Sequence, residues 1–129
     1  MRLLKQAFDM TPVQELSVAD WADSYRHLPN TSRAGGLWKT ERVELARGPM
    51  MAWTEPGVER ISLCFAVQCG KSELLLNIIG RTAALDPSPI MLVQPKREAA
   101  DKFSRERLAP MLSESPVLRQ LFDQRERSG

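Results

Sequence analysis

Hydrophobic and polar positions change period several times along the chain, and each change predicts an element. Between residues 60 and 66, Ile61, Leu63 and Phe65 alternate with Ser62, Cys64 and Ala66, the two-residue period of a strand with two covered faces. From residue 72 to residue 85 the chain is apolar almost all round, through Leu74, Leu75, Leu76, Ile78, Ile79, Ala83, Ala84 and Leu85. That pattern predicts a buried crossover helix. Asp86-Pro87-Ser88-Pro89 supplies a turn, and Ile90-Met91-Leu92-Val93-Gln94 is the short continuous apolar run of a strand buried on both faces. Strand, helix and strand in this order predict a right-handed crossover with its two strands parallel.

Upstream, residues 1–16 hold no sustained period and include Pro12, which suits a leader. Ser17 is placed to cap a helix starting at Val18, with Asp20 at its third position and Trp21, Tyr25 and Leu28 along one side. Two aromatics at this spacing suit packing better than base stacking. Residues 29–36 are dense in turn formers, and the weaker helical spacing of residues 37–47 is expected to stop at Gly48-Pro49. Met50, Met51 and Trp53 then make an apolar patch before Pro56-Gly57, readable as core or as a wall for an adenine ring.

Beyond Pro95, residues 96–108 read as a solvent-facing helix with Ala100, Phe103 and Leu108 inward. Its surplus charge is basic, from Lys96, Arg97, Lys102, Arg105 and Arg107, which suits a solvated face or contact with a phosphate backbone. Pro110 and Pro116 are expected to bracket a break before a short helix carrying Val117, Leu118, Leu121 and Phe122, and residues 123–129 are expected to fray.

A length of 129 residues with 43% hydrophobic positions allows one modest core, less than a nucleotide-binding α/β domain with its own catalytic machinery needs. A piece of a larger protein is therefore expected. The net charge of +2 does not by itself argue for nucleic acid. No apolar run approaches the ~20 residues of a spanning helix, and charges interrupt residues 1–10 where a signal peptide would be apolar. A cytoplasmic protein is the expectation. Cys64 and Cys69 have neither clamp nor zinc spacing, and His27 has no ligand cluster around it.

The chemistry concentrates where the first strand meets the long helix, in Gln68-Cys69-Gly70-Lys71-Ser72-Glu73. A glycine at such a turn lets backbone approach an anion, the first helical amides point at phosphate oxygens, and Lys71 adds a mobile positive charge. Ser72 would offer its hydroxyl to a Mg2+ ion bridging the phosphates. The full pattern G-x-x-x-x-G-K-[ST] is incomplete, because Phe65 stands where its first glycine belongs. The plainer reading of the tripeptide is a surface turn with a solvated lysine.

With this loop, Trp21-Ala22-Asp23-Ser24-Tyr25-Arg26-His27-Leu28-Pro29, Gln94-Pro95 and Ser115-Pro116-Val117-Leu118, the chain resembles the large terminase subunit of tailed bacteriophages, lambda-type branch, from about Ser17 to Phe122. The resemblance implies an α/β fold, a partial P-loop NTPase of the helicase and terminase kind with a short parallel sheet flanked by helices. It divides the chain into a helical, adenine-side segment over residues 1–57 and the first part of the ATPase core over residues 58–129, ending before the Walker B strand. The implied function is the ATP-binding part of a motor driving viral DNA into a capsid, with ATP and Mg2+ as cofactors and Lys71 as the catalytic residue. The nucleotide-binding set is Gln68, Cys69, Gly70, Lys71, Ser72 and Glu73, with Ser72 reaching the metal through the nucleotide. Implied partners are double-stranded viral DNA, the small terminase subunit and the portal or procapsid, in the cytoplasm of a bacterial host carrying a phage or prophage. Two departures bear on enzymatic activity: Val67 stands where many terminases have an arginine, and no acidic pair follows an apolar strand. A different helicase-like ATPase piece, or a non-catalytic DNA- or protein-binding remnant, is the alternative.

Overall fold

The computed structural model describes residues 16–29 and 35–128, so the expected leader and most of the turn at residues 29–36 lie outside the described residues. Ser17 caps α1 (Val18–Tyr25) as its position predicts: its hydroxyl accepts from the Asp20 amide at 3.1 Å and donates to the Asp20 carboxylate at 2.8 Å. Trp21 is fully buried, and Tyr25 lies half-buried on the same side.

The chain then forms the sheet of the described residues, in which β1 (His27–Leu28) runs antiparallel to β2 (Gly36–Leu37), with His27 opposite Leu37 and Leu28 opposite Gly36. This corrects the short parallel sheet expected from residues 60–66 and 90–94. Neither segment joins a ladder. The reason is that apolar periodicity records which faces are covered, whereas a strand also needs neighbours for its amides and carbonyls, and an isolated pair is marginal in water. One of the two faces expected to be covered is so: Ile61, Leu63 and Phe65 are half-buried, whereas Ser62, Cys64 and Ala66 on the other are exposed. In the second segment Met91 is 87% and Val93 77% exposed, so that run lies open to solvent.

A 3-10 helix (Thr40–Ala46), kinked at Val43, leads directly into α2 (Arg47–Ala52). Gly48-Pro49 begins this helix instead of stopping one, since a proline in the first turn needs no amide partner. The long helix α3 (Lys71–Leu85) is the centre of the molecule and ends at Asp86, ahead of Pro87. Around it, Leu76 joins Trp21, Ala22, Leu28, Trp38, Phe103, Met111 and Leu118 in one cluster. Leu74 and Ile78 join Val18, Ala19, Ala46 and Met50 in the other. Gly80 lets the Trp21 indole rest on the helix, because a Cβ there would lie 2.5 Å from Trp21 Cη2.

The basic stretch forms α4 (Arg97–Phe103), a π-helical turn (Ser104–Leu108) and α5 (Ala109–Glu114) without interruption. Pro110 thus lies inside a helical run. A proline lacks an amide and its ring crowds the carbonyl four residues back, and the wider π turn just before it accommodates both effects. The break falls at Ser115, inside the interval that Pro110 and Pro116 bracket, and the buried Ser115 hydroxyl accepts from the His27 amide at 3.2 Å and ties β1 to this corner. The last helix, α6 (Pro116–Ser128), runs through the segment expected to fray. No described helix is long and apolar enough to cross a membrane.

Candidate functional site

Residues 67–70 form a tight turn that opens directly into α3, so Lys71 is the first residue of the helix. Two residues of this turn are left-handed, Gln68 at φ 60° and Gly70 at φ 83°. A glycine meets that geometry without steric cost, whereas Gln68 adopts it as an uncommon non-glycine case. Gly70 is also approached closely from the side, because a Cβ on it would lie 2.8 Å from Val43 Cγ1. The loop is therefore seated against the kink of the 3-10 helix.

No side chain caps the N-terminus of α3. The first internal bond runs from the Leu74 amide to the Gly70 carbonyl at 3.0 Å, leaving the preceding amides as the positive end of the helix dipole. Lys71 is exposed and its ammonium donates to the Phe65 carbonyl at 3.4 Å, so its charge lies over the same turn. Ser72 is half-buried beside it, and the Cys69 thiol lies 3.8 Å from the Val67 carbonyl. Cys64 and Cys69 are free thiols. Of the predicted residues, Gln68, Cys69, Gly70, Lys71 and Ser72 are thus gathered at one helix mouth.

Glu73 goes elsewhere. Its carboxylate accepts from Arg26 Nη2 and, at 3.4 Å, from Arg107 Nη1, and its backbone carbonyl accepts from Arg26 Nη1 at 3.2 Å. Arg26 has 1% of its side chain exposed, against 26% for Glu73 and 54% for Arg107. The buried guanidinium also donates to Asn77 Oδ1 and stacks 5.0 Å from the Trp38 ring centre. Burial pushes the Arg26 guanidinium below its ordinary value, and the Glu73 charge and hydrogen bond pull it back up. An arginine in this setting stays charged, so the pair is ionic.

The support for Arg26 extends outward. Its carbonyl accepts from the Trp38 amide at 2.9 Å, Trp38 Nε1 donates to the Thr40 hydroxyl at 3.1 Å, and the Thr40 amide donates to the Asp23 carboxylate at 2.6 Å. Asn77 Nδ2 donates to the Met50 sulfur at 3.3 Å. Met50 is therefore core, while Met51 and Trp53 are each 47% exposed. Sequence reasoning singled out neither Arg26 nor Asn77 as a site residue. Asn77 carried a usable signal, since an amide inside an otherwise apolar helix must find a partner.

Among the described residues no group of three or more His, Cys, Asp or Glu side chains is arranged to hold a metal ion. The donor set at the loop is amides, an ammonium and a hydroxyl, which suits an anion. Neither the curated proteins nor the solved structures include a match to this chain. A family model does match it, over residues 32–129, and on that basis the chain belongs to the family of the phage terminase large subunit gpA, ATPase domain.

Proposed function

We propose that this chain binds the polyphosphate of ATP at the Gly70 turn and forms the nucleotide-binding part of a DNA-packaging motor. The observation that carries the reading is an uncapped helix opened by a left-handed glycine with Lys71 as its first residue. In this reading residues 68–71 form a P-loop, the amides following Gly70 cradle phosphate oxygens, and Lys71 leaves the Phe65 carbonyl to pair with the terminal phosphates. Ser72 would offer its hydroxyl to Mg2+. The metal, when bound, neutralises charge on the phosphates, and it would arrive with the nucleotide because the described residues supply no ligand cluster of their own.

Residues 1–57 would serve the adenine side, and residues 58–129 the phosphate side, of a P-loop ATPase core. Nucleotide binding without efficient turnover is the expected behaviour of this chain alone, because the sequence offers no acidic pair to position the attacking water. Double-stranded DNA, the small subunit and the portal are the partners that a gpA-type motor would engage, in the cytoplasm of an infected or lysogenic bacterium. A second reading, a DNA-binding remnant without nucleotide, draws on the exposed Lys96, Arg97, Lys102, Arg105 and Arg107.

The deciding measurement is a titration with a fluorescent ATP analogue and Mg2+, on wild-type protein and on Lys71→Ala. Weak saturable binding lost in the variant is expected. Equal binding by both proteins would transfer the case to the second reading.

A further inference from the structure

Glu73 is the third residue of α3, the position from which a glutamate ordinarily reaches back to the N-cap amide and closes a helix N-terminus. The positive end of the helix dipole favours the same movement. A carboxylate folded that way would occupy and repel on the ground that a phosphate group needs. In this molecule the carboxylate is held sideways by Arg26 and Arg107, Arg26 also grips the Glu73 carbonyl, and the helix mouth has no side-chain cap.

We propose that Arg26 is a positioning residue for the phosphate turn, which keeps the first amides of α3 open to an anion by withdrawing and neutralising the Glu73 carboxylate. The inference rests on the nucleotide reading above and deepens it, since it assigns a part in phosphate binding to a residue that acts on the loop through Glu73. Two features make Arg26 suited to the task. It is buried and braced by Asn77 and Trp38, so it holds a fixed place. Its two terminal nitrogens reach different atoms of Glu73, which fixes both the first helical turn and the side chain. Arg107, more exposed, adds a second hold from the π-helical turn.

The test uses the whole chain, a methylanthraniloyl ATP analogue with Mg2+, and circular dichroism to confirm folding. Wild type and Lys71→Ala first establish that binding occurs at the loop; equal binding in these two defeats the nucleotide reading and this inference with it. With that established, Arg26→Met is expected to weaken binding about tenfold by freeing Glu73 to cap its own helix. The double variant Arg26→Met/Glu73→Ala is expected to recover most of the lost affinity. A merely structural arginine predicts no recovery, because the second substitution removes a further contact. Arg26→Lys keeps the buried charge with only one point of attachment, and is expected to show a smaller deficit with the same recovery, which supports the proposal where the Met variant does not fold. Unchanged affinity in a folded Arg26 variant, a deficit that Glu73→Ala does not repair, or loss of folding in both Arg26 variants each overturns it.

Discussion

Val43 Cγ1 occupies the space that a Cβ on Gly70 would need, 2.8 Å away, at a residue whose φ is 83°. Two penalties therefore fall on Gly70→Ala, a left-handed conformation costing about 1–2 kcal/mol for an L side chain and a contact that must be relieved. Equilibrium denaturation should show a loss of about 1–3 kcal/mol, accompanied by loss of nucleotide-analogue binding. Adding Val43→Ala should return part of the stability by opening the contact. The conformational part of the loss should persist, and full recovery in the double variant would contradict the left-handed assignment.

A comparable contact governs the other side of α3. A Cβ at Gly80 would lie 2.5 Å from Trp21 Cη2 and 2.8 Å from Trp21 Cζ3, against a ring that is fully buried. Alanine ordinarily gains about 1 kcal/mol over glycine inside a helix. Overpacking a closed core costs about 1–3 kcal/mol, and a rigid indole gives little. Gly80→Ala is expected to lower the melting temperature despite its better helix propensity. A rise in melting temperature would mean that α1 slides on α3 more freely than this packing implies.

The elements that local rules specify were readable in advance, and those that depend on partners were not. Ser17 caps α1 through the Asp20 amide because cap chemistry is settled within four residues. The apolar run after Ser72 forms the buried central helix because its period leaves no polar face to solvent. Neither Pro49 nor Pro110 ends a helix, because a proline near a helix start is tolerated, and ahead of Pro110 the sequence does not show that the preceding turn widens. Residues 60–66 and 90–94 do not pair as strands because an apolar pattern, alternating in the first and continuous in the second, names no neighbour. At the candidate site, a turn glycine followed by a helix start at residues 70 and 71 is legible from local sequence, whereas Arg26 meets Glu73 across 47 positions and leaves no periodic trace.

Asn77 offers a test of how far the buried polar network contributes to stability. It accepts from Arg26 and donates to the Met50 sulfur, with no exposure of its own. Asn77→Leu keeps the branched heavy-atom skeleton, with bulkier methyl groups at its end, but removes an acceptor from a buried cation. Leaving a charged donor short of a partner costs about 1–3 kcal/mol or more, so chemical denaturation should register a drop of that order. A neutral or stabilising result would mean that the Arg26 nitrogen is satisfied by the Glu73 carbonyl alone.

Met91 and Val93 present the opposite situation, apolar side chains that are 87% and 77% exposed. Side chains this open bury almost nothing, so replacing them should change unfolding free energy by no more than about 0.5 kcal/mol. Their cost lies in association, because exposed apolar side chains adjacent in sequence offer other chains a surface to bind. Met91→Lys/Val93→Lys is therefore expected to leave the melting temperature of dilute protein in place while lowering light scattering at high concentration and reducing binding of a hydrophobic dye. A large fall in melting temperature would contradict the exposure of these two side chains by showing that they contribute to packing.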